Sequence, residues 1–407
     1  MKIWLVDHYA VPPQYYPLIR PSMFAKKLKK MGHEVTIIAA STAHNSDVNL
    51  ITDGARVRKE TFDGVPYVLI RCSGYRGNGL GRVNNILEFA AKLPGVCRTL
   101  EKPDAIVATS FDPISCWQGI RFAKKHGIRA IAQIADLWPE TLVAYGTAGE
   151  NNPVVKALRR LEKKIYTSAD AIMFTMEGAY DYIRAQGWEK AVPRDKVCFI
   201  NNGVDLAQFE RDRMDYPADD AELADPSRFK IVYTGSLRES NRLDLLLEAA
   251  ALLDDEKIRI LIWGSGDELE NLKEQARRNA LKNVSFKGRV EKKRIPAILA
   301  GSDALFLDVF DERVSRYGIS SNKLFEYFAA AKPILMCRLA GHNPAERFGC
   351  SISFESTPEG IAAAIRKVCA LTDEQRETMR RGALAAAQAY SYDTLTEKLN
   401  AVVEGKI

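Results

Sequence analysis

An α/β protein with two doubly wound parallel-sheet domains and a C-terminal helix is the fold this sequence predicts. Three observations carry that prediction. At 407 residues the chain is too long for one ordinary core and suits two domains. Short apolar runs alternate with amphipathic helical stretches, which is the order of a parallel sheet. The alternation runs twice, interrupted by the polar, acidic stretch Leu206–Arg228. The expected division is a first domain over 1–205, a linker over 206–228 and a second domain over 229–385. A C-terminal helix over 386–407 is expected to cross back to the first domain.

The composition, 46% hydrophobic and 27% charged, is that of a soluble globular protein. A net charge of +6 is too mild to indicate nucleic acid, and suits anionic substrates or an anionic membrane surface. Seven cysteines lack CxxC or other ligand spacing, which predicts reduced thiols in a cytoplasmic protein. The chain enters MKIWLVD at once. No apolar run is long enough for a signal peptide or a transmembrane helix, so contact with the inner face of a membrane is expected to be peripheral.

In the first half, Ile3–Val6 and Val35–Ala39 read as strands. Between them a helix carries Phe24, Leu28 and Met31 on one face and stops at Gly32. Its other faces hold Lys26, Lys27, Lys29 and Lys30. Such a βαβ unit implies a parallel sheet, where ligands bind at the carboxyl ends of strands. The loop from His8 to Arg20 is thus placed toward a cleft, with His8, Tyr15 and Arg20 as acceptor-side candidates. Further strands are predicted at Tyr67–Arg71, Ala105–Ala108, Arg129–Ile134, Ala171–Thr175 and Val197–Ile200. Helices fall over Ile114–Lys125 and Pro153–Tyr166. The second is basic through Lys156, Arg159, Arg160, Lys163 and Lys164 and reads as a solvated face, whereas for Lys26, Lys27, Lys29 and Lys30 both a solvated face and attraction to anionic lipid stay open. The glycine-rich loop Ser73–Arg82 reads as a flexible connector or as a cover over an acceptor or phospholipid. Asp136, in DLWPE, stands at a strand's carboxyl end. It either caps the helix opened by Trp138-Pro139 or orients a substrate.

In the second half, strands are predicted at Phe229–Tyr233, Ile258–Ile262, Val284–Phe286, Ala304–Leu307, Ile334–Met336 and Ser351–Ser353. Helices separate them, and a long helical tail after Thr372 breaks near Tyr390–Tyr392. Two glycine turns follow strands. The first, YTGSLRES, contains Gly235, Ser236 and Arg238, with Arg242 close by, and opens the domain where phosphate is best received. The second contains Gly264 but has Leu269 where a dinucleotide fingerprint wants Gly or Ala, which argues against a nicotinamide cofactor. The most informative stretch is Ser320–Glu326. Hydroxyl residues, Asn322, Lys323 and Glu326 fall within about two turns of a helix start. Free amides and a lysine make a phosphate seat, and a carboxylate one turn on can accept hydrogen bonds from sugar hydroxyls.

Taken together, KKMGHEVTII, DLWPE, VCFINNGVD, YTGSL, IWGSGDE, NVSFKGRV and above all SSNKLFEYFAAAKPIL resemble the retaining nucleotide-sugar glycosyltransferases of family 4. The resemblance covers nearly the whole chain. DLWPE and NKLFEY are similar to the branch building bacterial O-antigen and capsule repeat units, the amino-fucosyl transferases among them. It implies the GT-B fold, with two Rossmann-like domains facing across a cleft. It also implies hexosyl or N-acetylhexosaminyl transfer, with retention, from a nucleoside-diphosphate sugar, UDP-linked by expectation. The acceptor would be a saccharide or an undecaprenyl-diphosphate-linked sugar.

On this resemblance Glu326 matches the second glutamate of an E-x7-E motif and binds the donor ribose. Ser320, Ser321, Asn322 and Lys323, with Leu324 beside them, match the diphosphate-binding helix start. Arg289 and Val290 match the turn that reads the base. The chain departs from the pattern at Gly318, where the sugar-contacting glutamate belongs, and Asp311 or Glu312 is the expected substitute. It departs again at Ser236 and Asn241, where an arginine and a lysine usually clamp the diphosphate. Lys323 with Arg238 or Arg242 is expected to restore that charge. PPQYYPLIR replaces the usual glycine-rich acceptor loop. The leaving phosphate is expected to take the acceptor proton, with Asp136 orienting substrate and no metal or other cofactor required. Three other readings compete: a nucleotide-sugar 2-epimerase, a sucrose- or glycogen-type synthase, and a non-catalytic two-domain sugar-binding protein.

Overall fold

The structure, a computed structural model, describes residues 1–16, 18–44, 46–77, 79–253, 255–309, 312–339 and 341–406, with only the backbone at Glu312. The chain divides into two compact units, Met1–Asn201 with Leu395–Ile407, and Asn202–Thr394.

The first unit is built on strands β1 (Lys2–Val6), β2 (Glu34–Ala40), β3 (Val57–Phe62), β4 (Val65–Ile70), β5 (Ala105–Thr109), β6 (Arg129–Ile134), β7 (Ala171–Phe174) and β8 (Val197–Phe199), in the order β3-β4-β2-β1-β5-β6-β7-β8. Its helices include α1 (Arg20–Lys30), α2 (Leu80–Cys97), α3 (Pro113–Lys125), α4 (Glu140–Ala144) and α5 (Pro153–Ser168). The central strands are covered on both faces, so they read as nearly continuous apolar runs; Ile3, Ile37, Ile106 and Ile131 are fully buried. Each such side chain contributes roughly 1.5–3 kcal/mol. Strand β3 was invisible to that logic. It reads VRKETF, pairs antiparallel with β4 at the sheet edge, and takes its register from a turn with positive φ at Asp63 (53°) and Gly64 (74°). Asp-Gly suits that turn, and the polar edge strand resists further pairing. The loop Ser73–Arg82 ends earlier than its glycines suggest, because α2 begins at Leu80.

The second unit holds β9 (Phe229–Ser236), β10 (Ile258–Ser265), β11 (Val284–Gly288), β12 (Ala304–Leu307), β13 (Ile334–Cys337) and β14 (Ser351–Phe354), all parallel, in the order β11-β10-β9-β12-β13-β14. Residues 206–228, read from sequence as a linker, cluster with this unit and carry helices Leu206–Asp215 and Ala221–Ala224. The acidity that suggested a linker is partly capping. Asp205 and Asp220 accept from Gln208 N and Leu223 N, and Lys287 pairs with Asp220 and Glu222. The tail forms helices Asp373–Ala389 and Tyr392–Glu404, broken where expected, and from Leu395 it belongs to the first unit. There Arg129 Nε donates to the Val402 carbonyl at 3.0 Å. Among the described residues no helix is long and apolar enough to cross a membrane.

Candidate active site

In the second unit, β9 ends beside the start of the helix Asn322–Ala330. Tyr327 ties the two: its hydroxyl accepts from Thr234 N and donates to the Phe306 carbonyl of β12. Ser321 is the N-cap residue, extended and without a side-chain cap bond, so the first turn presents amides that no capping side chain satisfies.

Lys323 turns back from this helix toward β9. Its Nζ donates to Asn241 Oδ1 at 2.6 Å and Tyr233 Oη at 2.9 Å, and lies 4.8 Å from the centre of the Tyr233 ring. Tyr233 Oη and Asn241 Nδ2 both donate to the Ser236 carbonyl, which fixes the amide so that its oxygen faces the lysine. The path exists because residue 235 is glycine: a Cβ there would lie 2.8 Å from Lys323 Cδ. Burial lowers the Lys323 amine to about 7, partly opposed by Glu326. Glu326 is 17% exposed and ion-paired with the more open Lys292.

The structure thus brings Gly235, Ser236 and Lys323 together. It gives other candidates different surroundings. Arg238 is exposed and makes no ion pair among the described residues. Arg242 is in a left-handed conformation, with Nε 3.7 Å from Asp244 Oδ1. Arg289 is exposed and Val290 half-buried, just after Gly288. The Ser320 carbonyl accepts from Asn202 Nδ2, and Asn322 is exposed. Leu324 is a core residue at 0% exposure, so only its backbone can serve a ligand. Gly264 pairs with Gly235 across the sheet, and a Cβ on it would sit 1.8 Å from the Gly235 carbonyl oxygen. Packing accounts for that glycine without a ligand. Asp311 and the side chain of Glu312 lie outside the described residues.

Sequence reasoning missed Tyr233 and Asn241, which hold Lys323, and Lys292, which pairs with Glu326. It also missed Asp308 at the end of β12. Asp308 is fully buried; Oδ1 accepts from Ser356 Oγ and Val309 N, and burial raises its carboxyl. Its strand-end position was the available signal.

In the first unit the acceptor-side expectations need correction. Arg20 is 3% exposed and donates to the carbonyls of Ile200 and Asn201, so it buckles α1 to the chain leaving β8 and is not presented to a ligand. His8 is 2% exposed, and its Nε2 is 2.7 Å from Asn85 Oδ1. Asn85 Nδ2 donates to Thr42 Oγ1 and the Ser73 carbonyl. Its Oδ1 must therefore accept, and the His8 proton resides on Nε2. The bare Nδ1 then faces Asp112 Oδ2 at 3.5 Å. Burial pushes His8 down to about 3, Asp112 up to about 6 and Asp7 up to about 7, so a proton on Asp112 complements the imidazole only below about pH 6. Tyr15 is exposed and lies edge-on to Phe62.

Asp136 is exposed and caps nothing: the N-cap of α4 is Pro139, which makes no side-chain cap bond. Surrounding protein raises its carboxyl to about 6 against the pull of Arg82, but solvent reaches the group and the shift carries little stability. The DLWPE loop is anchored instead through Glu140, which is buried and accepts from Arg159 Nη2 at 2.7 Å. Arg82 donates to Tyr9 Oη at 2.9 Å at the end of β1.

Comparison with known proteins fits this geometry. The family model of a glycosyl transferase 4-like domain matches residues 20–203, and that of glycosyl transferases group 1 matches residues 228–370. WcaI of Escherichia coli K12, named for colanic acid biosynthesis as a glycosyl transferase, is 26% identical over 287 residues, 68% of this chain and 69% of its own. The fold is shared with WaaG, a glycosyltransferase involved in lipopolysaccharide biosynthesis, at TM-score 0.67 and 14% identity over 99% of this chain and 100% of that one. It is shared too with Anabaena Alr3699/HepE in complex with UDP, at TM-score 0.68 and 14% identity over 100% of both chains. The architecture is GT-B.

Proposed function

This chain belongs to family 4 of the glycosyltransferases, and from that premise we propose that it moves a sugar, with retention, from a nucleoside-diphosphate donor to a growing surface polysaccharide. The donor nucleotide is UDP, which HepE binds in its complex. The sugar is a hexose or N-acetylhexosamine. The acceptor is a lipid-linked saccharide; WcaI is named for colanic acid biosynthesis and WaaG for lipopolysaccharide biosynthesis, which supports a surface-polysaccharide setting.

One observation carries the reading: a helix start without a side-chain cap holds a lysine folded back onto Tyr233 and Asn241, with a carboxylate one turn further on. The amides and the Lys323 ammonium receive the diphosphate, whose charge grows as the glycosidic bond breaks. Glu326 accepts from the ribose hydroxyls, exchanging its contact with Lys292 for them. The leaving phosphate takes the proton of the acceptor hydroxyl, and Asp136 orients that hydroxyl. Nothing in these steps calls for a metal. Neither the epimerase nor the binding-protein alternative draws support from the family matches.

The test is transfer from a panel of radiolabelled nucleoside-diphosphate sugars to polyprenyl-diphosphate-linked saccharides. One donor is expected to label the lipid fraction, and Glu326→Gln to weaken its use about tenfold. Epimerised nucleotide sugar without an acceptor, or tight sugar binding with no turnover, would replace the proposal with one of its rivals.

A further inference from the structure

One helical face of the first unit is strongly basic. Helices α2, α3 and α5 pack side by side, α3 touching both of the others. They hold ten lysines and arginines (Arg82, Lys92, Arg121, Lys124, Lys125, Lys156, Arg159, Arg160, Lys163, Lys164) against two glutamates, Glu88 and Glu162. That excess is larger than the net +6 of the entire chain, so the remainder is slightly acidic.

Many exposed helical cations of the second unit are paired within a turn, as in Lys273–Glu270, Arg277–Glu274 and Arg380–Glu377, although Arg211 and Lys367 have no carboxylate partner among the described residues. On α3 and α5 the exposed Arg121, Lys125, Lys156, Arg160, Lys163 and Lys164 have no carboxylate partner among the described residues. Beside α3, a groove of about 210 Å³ against the C-terminal half of α2 is lined by Arg98, Arg121, Lys125 and His126.

The same layer exposes apolar side chains. Leu80 is 87% exposed, Val83 47% and Leu87 48%, at helical spacing on α2, and Val154 is 61% exposed in the first turn of α5. The opposite face of α2 already supplies the core through Phe89, Ala90 and Leu93. Both helices run back from the carboxyl edge of the sheet, since each follows a parallel strand. Their first turns therefore place Leu80, Val83 and Val154 at the edge where Asp136 lies, with Leu87 about two turns further along α2.

We infer that the outer face of α2, α3 and α5 docks on an anionic phospholipid bilayer, with Leu80, Val83, Leu87 and Val154 entering the headgroup boundary and the unpaired cations facing lipid phosphate. Charge complementarity decides for that occupant. An apolar stripe flanked by uncompensated cations fits an anionic interface, and would leave six charges unpaired against a second copy of this chain. The docking seats the carboxyl edge of the first unit at the surface that carries a lipid-linked acceptor. That consequence rests on the function proposed above; the docking itself does not.

The test is co-sedimentation of the full chain with vesicles of phosphatidylglycerol and phosphatidylethanolamine, against vesicles of phosphatidylcholine alone. Binding is expected only to the anionic vesicles and is expected to weaken with salt. Lys156→Glu with Arg160→Glu should lower partitioning by at least about twentyfold, at roughly fivefold for each cation removed. Leu80→Glu with Leu87→Glu should abolish it. All these positions are exposed, and an unchanged UDP-induced thermal shift certifies that the variants fold. Equal binding to neutral vesicles, no binding, or a dimer that Leu80→Glu dissociates overturns the inference. Vesicle binding with no response to UDP would instead remove the functional reading and leave the docking face standing.

Discussion

Lys323 Nζ lies 2.6 Å from Asn241 Oδ1, so a cation carried by one helix is delivered to the strand-to-helix turn, where residues 236 and 241 are themselves uncharged. The resemblance described above implies a lysine at position 241, and here the asparagine at that position holds a lysine arriving from position 323. On the proposed function the contact is a relocation of charge. Lys323→Gln should lower UDP affinity roughly ten- to hundredfold, the range of a hydrogen bond to a charged group. Adding Asn241→Lys to that variant should restore affinity to within about fivefold, as titration calorimetry would show. Failure of the second lysine to rescue would mean that Lys323 acts through packing.

The depressed amine makes donor binding pH-dependent. Lys323 is lowered from 10.5 to about 7, so above pH 7 the unliganded site holds a largely neutral amine. A diphosphate re-protonates it, so UDP binding should take up close to one proton at pH 8 and almost none at pH 6. Comparing binding heats in buffers of different ionisation enthalpy measures this. Affinity should fall up to about tenfold per pH unit above 7. The unliganded protein follows the opposite sign. Between about 7 and 10.5 the unfolded chain binds more protons at this site, so this residue's destabilising effect is complete below pH 7 and fades as pH rises.

Asp112 predicts a contrast between two substitutions. One of its oxygens caps α3 by accepting from Ser115 N, and the other faces the bare Nδ1 of His8. Asp112→Asn keeps the cap and supplies an N–H to the imidazole, so it should change stability by less than about 0.5 kcal/mol near neutral pH. Asp112→Ala loses both and should cost about 1–3 kcal/mol. Because burial raises this carboxyl from 3.8 to about 6, its contribution is favourable below 3.8 and is lost as pH climbs through 6. The asparagine variant should lack that dependence in denaturant titrations.

Gly264 has φ +155° and stands against the carbonyl of Gly235. Gly264→Ala should destabilise the second unit by more than about 3 kcal/mol, or force the glycine turns apart. Gly266, whose Cβ would lie 2.1 Å from the Leu237 carbonyl oxygen, should behave alike. Thermal unfolding distinguishes both from Gly74→Ala, where a Cβ meets nothing within 4 Å.

Elements with a buried apolar run were legible from sequence, as β1, β5, β9 and β12 show, because burial on both faces leaves nothing else for those positions. Strand β3 was not, since its partner and its turn, and not its own residues, make it a strand. The Ser320–Lys323 candidate could be drawn from sequence because its residues lie within one helical turn. The Lys323 partners Tyr233 and Asn241 could not, being 90 and 82 positions away in sequence. His8 and Arg20 were misread for a related reason. Strand-end position is visible in a sequence, but the closure of Asn85 and Asp112 over His8, and of the β8 exit over Arg20, is tertiary.

The most direct measurement is the thermal midpoint of the purified chain with UDP, other nucleoside diphosphates and NAD at matched concentrations. A ligand that binds only the folded state raises the midpoint. UDP should raise it, NAD should not, and Lys323→Gln should lose most of the shift at a fixed UDP concentration. A midpoint that no nucleoside diphosphate moves would contradict the assignment of Ser320–Glu326 as a donor diphosphate and ribose site.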